Sequence, residues 1–464
     1  MLDERSTARR DLAVAIHAAA VRGVNPRDVT RRAVTERLAS AEQPIWIIAL
    51  GKASAAMAGA TVEALAAHGV EPAGGVIVGL EDALASPHPR VESFAGDHPV
   101  PDQRSAAASA ALGEVALRVG GGGTVFVLLS GGATSLVASP AAGVEERELV
   151  RLFDGLLGSG ADITVMNTVR KRFTRWGAGR LARALAPARV HGLIVSDVVG
   201  DDIASIGSGP CAPDPLDASG VAALIERNGL EPFVPRSLRL LLAPDSALDQ
   251  PPAPNDPIFD RVECTVILGN RIALAAAAEC ARELGAAVKV VPEPLVDDAT
   301  FTAQRIVDEL VRYREAGLPL ANPGPSNSPS REAEFACMIW GGETTVRLGP
   351  GTAPPGGRCQ ELALAAADAL RAEGDRGGRI TLLAAGTDGR DGPTDAAGAV
   401  VDATTWDAIR ASGRDPAEDL VEHRSYAALD AAGALVRTGP SGTNVGDVVV
   451  GIVERPLRDR VSPG

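Results

Sequence analysis

Five apolar runs in this chain each stop abruptly at a short polar segment that carries glycine. They read IWIIAL then GKAS from Ile45, VFVLLS then GGATS from Val125, LIVS then DVVGDD from Leu193, CMIW then GGETT from Cys337, and LLAAG then TDGRDGPTD from Leu382. A sheet needs the apolar runs, which suit buried strands, but it has no need of those endings. In open α/β sheets ligands bind outside the carboxyl ends of the strands, where loops lead into helices. Lysine, serine, paired glycines and aspartates gathered at such ends predict an enzyme acting on a phosphorylated or carboxylated small molecule.

At 464 residues and 45% hydrophobic composition, the chain can bury a substantial core and is long enough for two or three domains. The formal charge of −14 is spread along the chain and aromatic residues make up only 3%, which argues against a nucleic-acid groove with stacking platforms. No apolar stretch approaches the roughly 20 residues of a membrane span, so no membrane partner is expected. Arg9-Arg10 precedes an apolar decad, but Asp3, Glu4 and Asp11 spoil the basic flank of a twin-arginine signal. A cytoplasmic protein is expected. Cys211, Cys264, Cys280, Cys337 and Cys359 are odd in number and lack CxxC spacing, as reduced thiols would.

Two amphipathic helices, at 5–22 and 27–39, are expected before a strand-helix alternation that begins near Ile45. Strands at 44–50, 75–79, 91–95, 124–129 and 190–196, with helices at 52–68, 102–118, 145–158 and 162–175, predict an α/β fold whose first domain is a doubly wound parallel sheet. The proline-rich segment 242–257 places a domain boundary near 258, giving 1–258 and 259–464. The second half alternates again. Its strands are expected at 263–268, 287–291, 335–340, 380–385, 434–438 and 447–453, and its helices at 271–284, 300–315, 359–373 and 403–411, with an irregular loop at 321–332.

Only three of the 45 basic residues are lysine: Lys52, Lys171 and Lys289. Where arginine is the default cation, a lysine kept at a motif points to a compact point charge that guanidinium cannot supply. Lys289, inside the strand-like AAVKVV, shows that the rule leaks. Lys52 follows Gly51 at the end of the first strong strand, beside the amides of a helix start, an arrangement that suits an anion. GKASAAMAG matches neither a dinucleotide fingerprint nor a P-loop. Ser130, Gly131 and Gly132 would let backbone amides approach a ligand oxygen, though a tight turn explains the glycines almost as well.

Asn167, Lys171 and Thr174 form one stripe of a helix that could face a ligand, with Arg170, Arg172 and Arg175 fanning outward around it, though a solvated basic helix explains the segment nearly as well. Asp197 leaves a strand end and is the candidate general base or magnesium ligand, while Asp201 and Asp202 suit turn caps. In the second half, Glu343 lies in GGETT, Arg358 in GGRCQE, and Thr387 and Asp388 in GTDGRDGPTD. Arg358 could fork onto a carboxylate or phosphate. Asp388, Asp391 and Asp395 resemble part of a divalent-cation loop without full EF-hand spacing, and Asp-Gly turns explain them nearly as well. None of the six histidines has metal-pair spacing, and His98 in GDHPVPD reads as part of a structural turn.

Together GKASAAMA, GDHPVPD, LLSGGATS, MNTVRK, LIVSDVVGDD with SGP, GNRIALAAAAE, GGETTV, GGRCQELALAAA, AGTDGRDGPTDAAGAVVD and TGPSGTNVGD resemble the class II glycerate 2-kinases, those with a MOFRL C-terminal domain, from about residue 10 to residue 453. The resemblance implies a Rossmann-like N-terminal domain, a smaller C-terminal α/β domain, a cleft between them, and ATP- and Mg2+-dependent phosphorylation of the 2-hydroxyl of D-glycerate. It places Lys52, Asp197 and Arg358 at catalytic positions. Gly51, Ser130, Gly131, Gly132, Asn167, Lys171, Glu343, Thr387 and Asp388 would bind substrate or phosphate, Asp197 and Asp388 would hold the metal, and the assembly is left open, a homodimer included. The chain departs from the family pattern at Arg172-Phe173-Thr174, Cys359, Gly446 and Glu422-His423-Arg424, which bears on substrate identity. Relatives also carry a hydroxypyruvate reductase label. A nicotinamide-dependent reductase is the alternative enzyme, and a non-catalytic sugar-acid sensor the alternative outside enzymes.

Overall fold

A computed structural model describes residues 4–80, 85–98, 100–243, 246, 248–316, 335–348 and 355–454. The loop expected at 321–332 lies outside them. Contacts divide the chain into two compact units, one of residues 25–269 and the other of residues 1–24 with 270–464.

The first unit is built on β1 Ile45–Leu50, β2 Gly74–Gly79, β3 Val91–Ala95, β4 Thr124–Leu129, β5 Arg189–Val195 and β6 Val262–Leu268. Their order is β3-β2-β1-β4-β5-β6 and every pairing is parallel. The central strands β1 and β4 are buried along their whole length, which is why they read as unbroken apolar runs. Helix Gln103–Val119 lays Ala108, Leu112, Val115 and Val119 on one side of this sheet, together with Ile48, Val76 and Val127. A second apolar cluster, around Leu152, Phe153, Val169 and Phe173, joins helices Glu146–Gly158 and Ile163–Phe173 to Ala218–Arg227. In this strand order the sequence direction reverses between β1 and β4, the switch point at which doubly wound sheets open a crevice for ligands.

The second unit holds β7 Ala287–Val290, β8 Phe335–Gly342, β9 Ile380–Gly386, β10 Gly398–Asp402, β11 Leu435–Val436 and β12 Asp447–Glu454, in the order β11-β10-β9-β12-β8-β7. Among the described strands of this unit, only β7 and β8 pair in parallel. Strand-helix alternation predicted more parallel pairing, and two features account for the difference. The chain turns back from β9 through 387–397 into β10, a short GAVVD strand absent from the sequence expectation, and pairs antiparallel. β12 then inserts between β8 and β9, antiparallel to both. Helix Arg358–Ala372 still makes the crossover from β8 to β9, and its buried alanines and leucines pack on Trp340, Leu382 and Val401.

The expected boundary at 258 moves for physical reasons. The strand following the proline-rich segment, β6, pairs with β5 and completes the first sheet, so the units separate at 269/270. At the other end, helix Glu4–Gly23 packs on helix Asn270–Glu283 and on β9 and β12. Its Arg9 bonds Glu454 at 2.7 Å and Arg10 bonds the Val400 carbonyl at 2.8 Å. Among the described residues no helix is long and apolar enough to cross a membrane.

Candidate active site

At the switch point the loops after β1 and β4 are tied together by backbone. The Lys52 amide donates to the Gly131 carbonyl at 2.9 Å, and the Ala53 amide donates to the Ser130 hydroxyl at 3.0 Å. Ser130 is buried and its hydroxyl also lies 3.4 Å from the Leu50 carbonyl, so it serves the backbone rather than standing free for a ligand. Gly51 has φ +118°, and a β-carbon there would strike Ser130, which leaves glycine as the residue that lets the loops close.

This clamp leaves the side chain of Lys52 exposed, and among the described residues it makes no ion pair. The other two lysines are both engaged: Lys289 pairs with Glu309 at 2.9 Å and Lys171 with Asp214 at 3.1 Å. Asp197, just past β5, brings its carboxylate against Gly131, so that a β-carbon on Gly131 would fall inside it. Burial raises the Asp197 carboxyl above its ordinary range, and the nearby positive charge of Lys52 opposes that shift. Asp202 accepts from the Ala204 amide at 3.2 Å and from Ser205, and so caps its turn as expected.

The basic helix differs from its sequence reading. Arg170, Lys171, Arg172 and Thr174 are all buried rather than fanned into solvent. The Lys171 ammonium faces Asp214 and the Ala204 carbonyl at 3.3 Å, and the Thr174 hydroxyl donates back to the Lys171 carbonyl. Arg172 bonds Gln250, and Arg180 grips the Asp249 carboxylate and four backbone carbonyls. Arg170 lies over the Phe153 ring, and burial lowers its pKa to about 10. Asn167 remains half-buried one turn before Lys171.

In the second unit Arg358 opens its helix and forks onto Asp447, with Nε 2.7 Å and one terminal nitrogen 2.8 Å from the two carboxylate oxygens. The other terminal nitrogen lies 3.0 Å from Glu343, whose side chain is 43% exposed. Burial alone would lower the Arg358 pKa, but Asp447 and Glu343 reverse that and hold the guanidinium firmly charged. Asp447 is positioned by the sheet. It is the first residue of β12, paired with Gly342 at the end of β8 and with Gly386 at the end of β9. Sequence reasoning did not nominate it, although an acid opening an otherwise apolar strand, DVVVGIVE, was a visible signal.

The aspartate loop does not converge. Asp388 accepts from the Arg390 amide at 3.0 Å, and Asp391 is buried and accepts from the Cys359 and Gln360 amides at the helix start. Asp395 is exposed and bonded to Tyr426 and Arg437. Thr387 is buried, its hydroxyl donating to the Gly446 carbonyl at 2.7 Å and accepting from the Val445 amide at 2.9 Å. It therefore braces the 441–446 loop instead of meeting a ligand. Among the described residues no three His, Cys, Asp or Glu side chains group as a metal cage. Such a cage is not what magnesium requires, because Mg2+ in phosphotransfer sites keeps waters and phosphate oxygens and takes one or two carboxylates. Asp197 offers that kind of donor.

A doubly wound sheet with a lysine, paired glycines and a half-buried acid at its switch point defines a small-molecule enzyme of the phosphate-handling type. Comparison with known proteins gives the family. Residues 12–243 match the model of a domain of unknown function, DUF4147, and residues 336–447 match the MOFRL family. The D-glycerate 2-kinase of Thermotoga maritima is 35% identical over 91% of this chain and 94% of its own length. The glycerate 2-kinase of Pyrococcus horikoshii is 33% identical over 88% and 87%. A relative from Agrobacterium vitis, 36% identical over 92% of this chain and 94% of its own, bears a hydroxypyruvate reductase name. The crystal structure of the Thermotoga maritima glycerate kinase superposes with a TM-score of 0.80 at 33% identity, covering 96% of this chain and all of that one. The chain belongs to the glycerate 2-kinase family.

Proposed function

We propose that this protein transfers the γ-phosphoryl group of ATP to the 2-hydroxyl of D-glycerate, giving 2-phospho-D-glycerate and ADP. The observation that carries the reading is the meeting, at the sheet's switch point, of an exposed Lys52 that makes no ion pair among the described residues and lies beside Gly132 with the Asp197 carboxylate that lies against Gly131. Asp197, raised above the usual carboxylate range, is suited to accept the proton that the 2-hydroxyl loses as its oxygen attacks the γ-phosphorus. Lys52 supplies positive charge where the transferred group gathers negative charge, so positioning and electrostatics provide most of the rate. Arg358 is held rigid by Asp447, and its contact with the half-exposed Glu343 is the one that a substrate oxyanion would displace. Magnesium would enter with the nucleotide, with the Asp197 carboxylate as a donor to it, and would neutralise charge on the phosphate oxygens.

A reductase would need a dinucleotide loop after β1, and that loop reads GKAS. The deciding experiment is incubation with ATP, Mg2+ and D-glycerate, followed by phosphorus NMR. A 2-phosphoglycerate signal together with ADP is expected. Oxidation of NADH dependent on hydroxypyruvate, with no phosphoester formed from ATP, overturns the proposal. Lys52→Ala and Asp197→Asn should each lower turnover at least about a hundredfold, roughly 3 kcal/mol of barrier, while the protein stays folded. Near-normal turnover in both would refute these roles.

A further inference from the structure

His98 lies in the loop after β3, the edge strand, and from there it reaches the switch point. A β-carbon built on Gly132 would lie 3.4 Å from His98 Cδ2, 3.6 Å from its Nε2 and 3.5 Å from Lys52 Cγ, so the imidazole and the lysine stem flank the same glycine. The loop is anchored one residue earlier. The Asp97 carboxylate accepts from Arg104 Nε at 2.6 Å and from the Arg104 and Ser105 amides, while the Asp97 amide donates to Ser105. His98 thus extends from a fixed point.

The other five histidines have structural partners. His17 is buried against the Ala385 backbone, His68 bonds the Ala64 carbonyl, His88 accepts from the Arg90 amide, His191 stacks on Phe126 beside Glu263, and His423 bonds Glu361. His98 is exposed, and its ring makes no hydrogen bond to a described residue. Partial burial, with the positive charges of Lys52 and Arg170 adding to it, lowers its pKa, and the Asp197 carboxylate stands at the neighbouring Gly131. Arg170 is itself buried, with an Nε that has no partner among the described residues. An imidazole without a hydrogen-bond partner among the described residues, beside an ammonium that makes no ion pair among them, has no structural task there, and the shared chemistry of the two is recognition of an oxyanion.

We propose that His98 is an oxyanion ligand of this site, acting with Lys52 around Gly132 on a carboxylate or phosphate oxygen. The inference deepens the kinase reading and rests on it for the identity of the ligands. Two sources share this chemistry, the carboxylate of the hydroxy acid and a phosphate of the nucleotide, and the test separates them.

The full-length protein would be followed by long-range proton–nitrogen NMR of its imidazoles, with the His98 signals assigned by their loss in His98→Gln. Inorganic phosphate and D-glycerate would be titrated separately. A bound anion between the cations should raise the His98 pKa by about one unit and leave the other five histidines in place. In kinetics, His98→Ala should raise the KM of one substrate at least about tenfold. A change for D-glycerate assigns the acid's carboxylate, and a change for ATP assigns a phosphate. Unmoved His98 signals at saturation with both probes, combined with both KM values within twofold of wild type, overturn the proposal. If the wild-type protein makes no product from D-glycerate yet phosphate shifts His98, the kinase reading falls and the oxyanion site stands. Product formation with a silent His98 sinks this proposal alone.

Discussion

A methyl group on residue 131 has no room beside the Asp197 carboxylate, which makes Gly131→Ala a sharper probe than removal of the acid itself. The substitution should push the carboxylate away from Lys52 and cut kcat at least about tenfold while the melting temperature changes little, because the position lies in a loop rather than in the core. Wild-type turnover in Gly131→Ala would show that the Asp197 position is not critical. Two buried groups of the second unit make an opposing pair in acid. Burial lowers His17 from 6.5 to about 4, so the unfolded chain binds a proton there that the folded chain does not; this contribution is present above pH 6.5 and lost as pH falls toward 4. Burial, with Asp447 adding to it, raises Asp391 from 3.8 to about 6, so the folded chain holds a proton that the unfolded chain releases, and stability falls as pH rises through that range. Each effect is on the order of 3 kcal/mol. His17→Asn should therefore turn a shallow dependence of the urea midpoint between pH 4 and 6 into a clear fall with rising pH. An unchanged slope would refute the pairing.

At the level of elements, helix Ile163–Phe173 shows where sequence reasoning ran out. The spacing of Asn167, Lys171 and Thr174 was legible, and so was the helix, but its surroundings were not. Lys171, Arg172 and Arg180 are buried because distant residues, Asp214, Gln250 and Asp249, come to meet them, and Arg170 is covered by Phe153. Nothing local announces such partners. The strand ends were legible because glycine and charge punctuate apolar runs, and Lys52, Gly131 and Asp197 followed from them. Asp447 and His98 were missed for one reason: each acquires its role from sheet order, Asp447 from the insertion of β12 between β8 and β9 and His98 from the reach of an edge loop to the switch point. The Lys171–Asp214 pair gives this scale its test. Both side chains are almost fully buried, and Asp214 Oδ2 has no hydrogen-bond partner among the described residues, so Lys171→Met leaves a buried carboxylate without its cation and should cost about 3–5 kcal/mol. The double variant Lys171→Met with Asp214→Leu should recover most of that in a denaturant titration. If the double variant is no more stable than the single one, the pair is not what holds the helix.

Across the whole chain, the sequence order and the folding units disagree at the start, and that carries a consequence. Residues 1–24 belong with 270–464, so the second unit is assembled from the two ends of the described chain, with the first unit formed by what lies between. Helix Glu4–Gly23 has no stabilising acidic pattern beyond Glu4 in its first turn; its hold comes from tertiary contacts, with Ala13, Ile16 and Ala20 fully buried and Arg9 and Arg10 bonded to β9, β10 and β12. Removing it would uncover one face of a sheet whose strands are apolar on both faces. Deletion of residues 1–24 should therefore strip hydrogen-exchange protection from the amides of β9, β10 and β12 before those of β1 and β4, which keep their own helices and their all-parallel pairing. Equal loss in both sheets would mean that the units do not fold as the contacts divide them. Protection retained everywhere would mean that the helix is an ornament on a unit complete without it, and the buried Arg9, Arg10 and His17 make that the outcome hardest to reconcile with the structure.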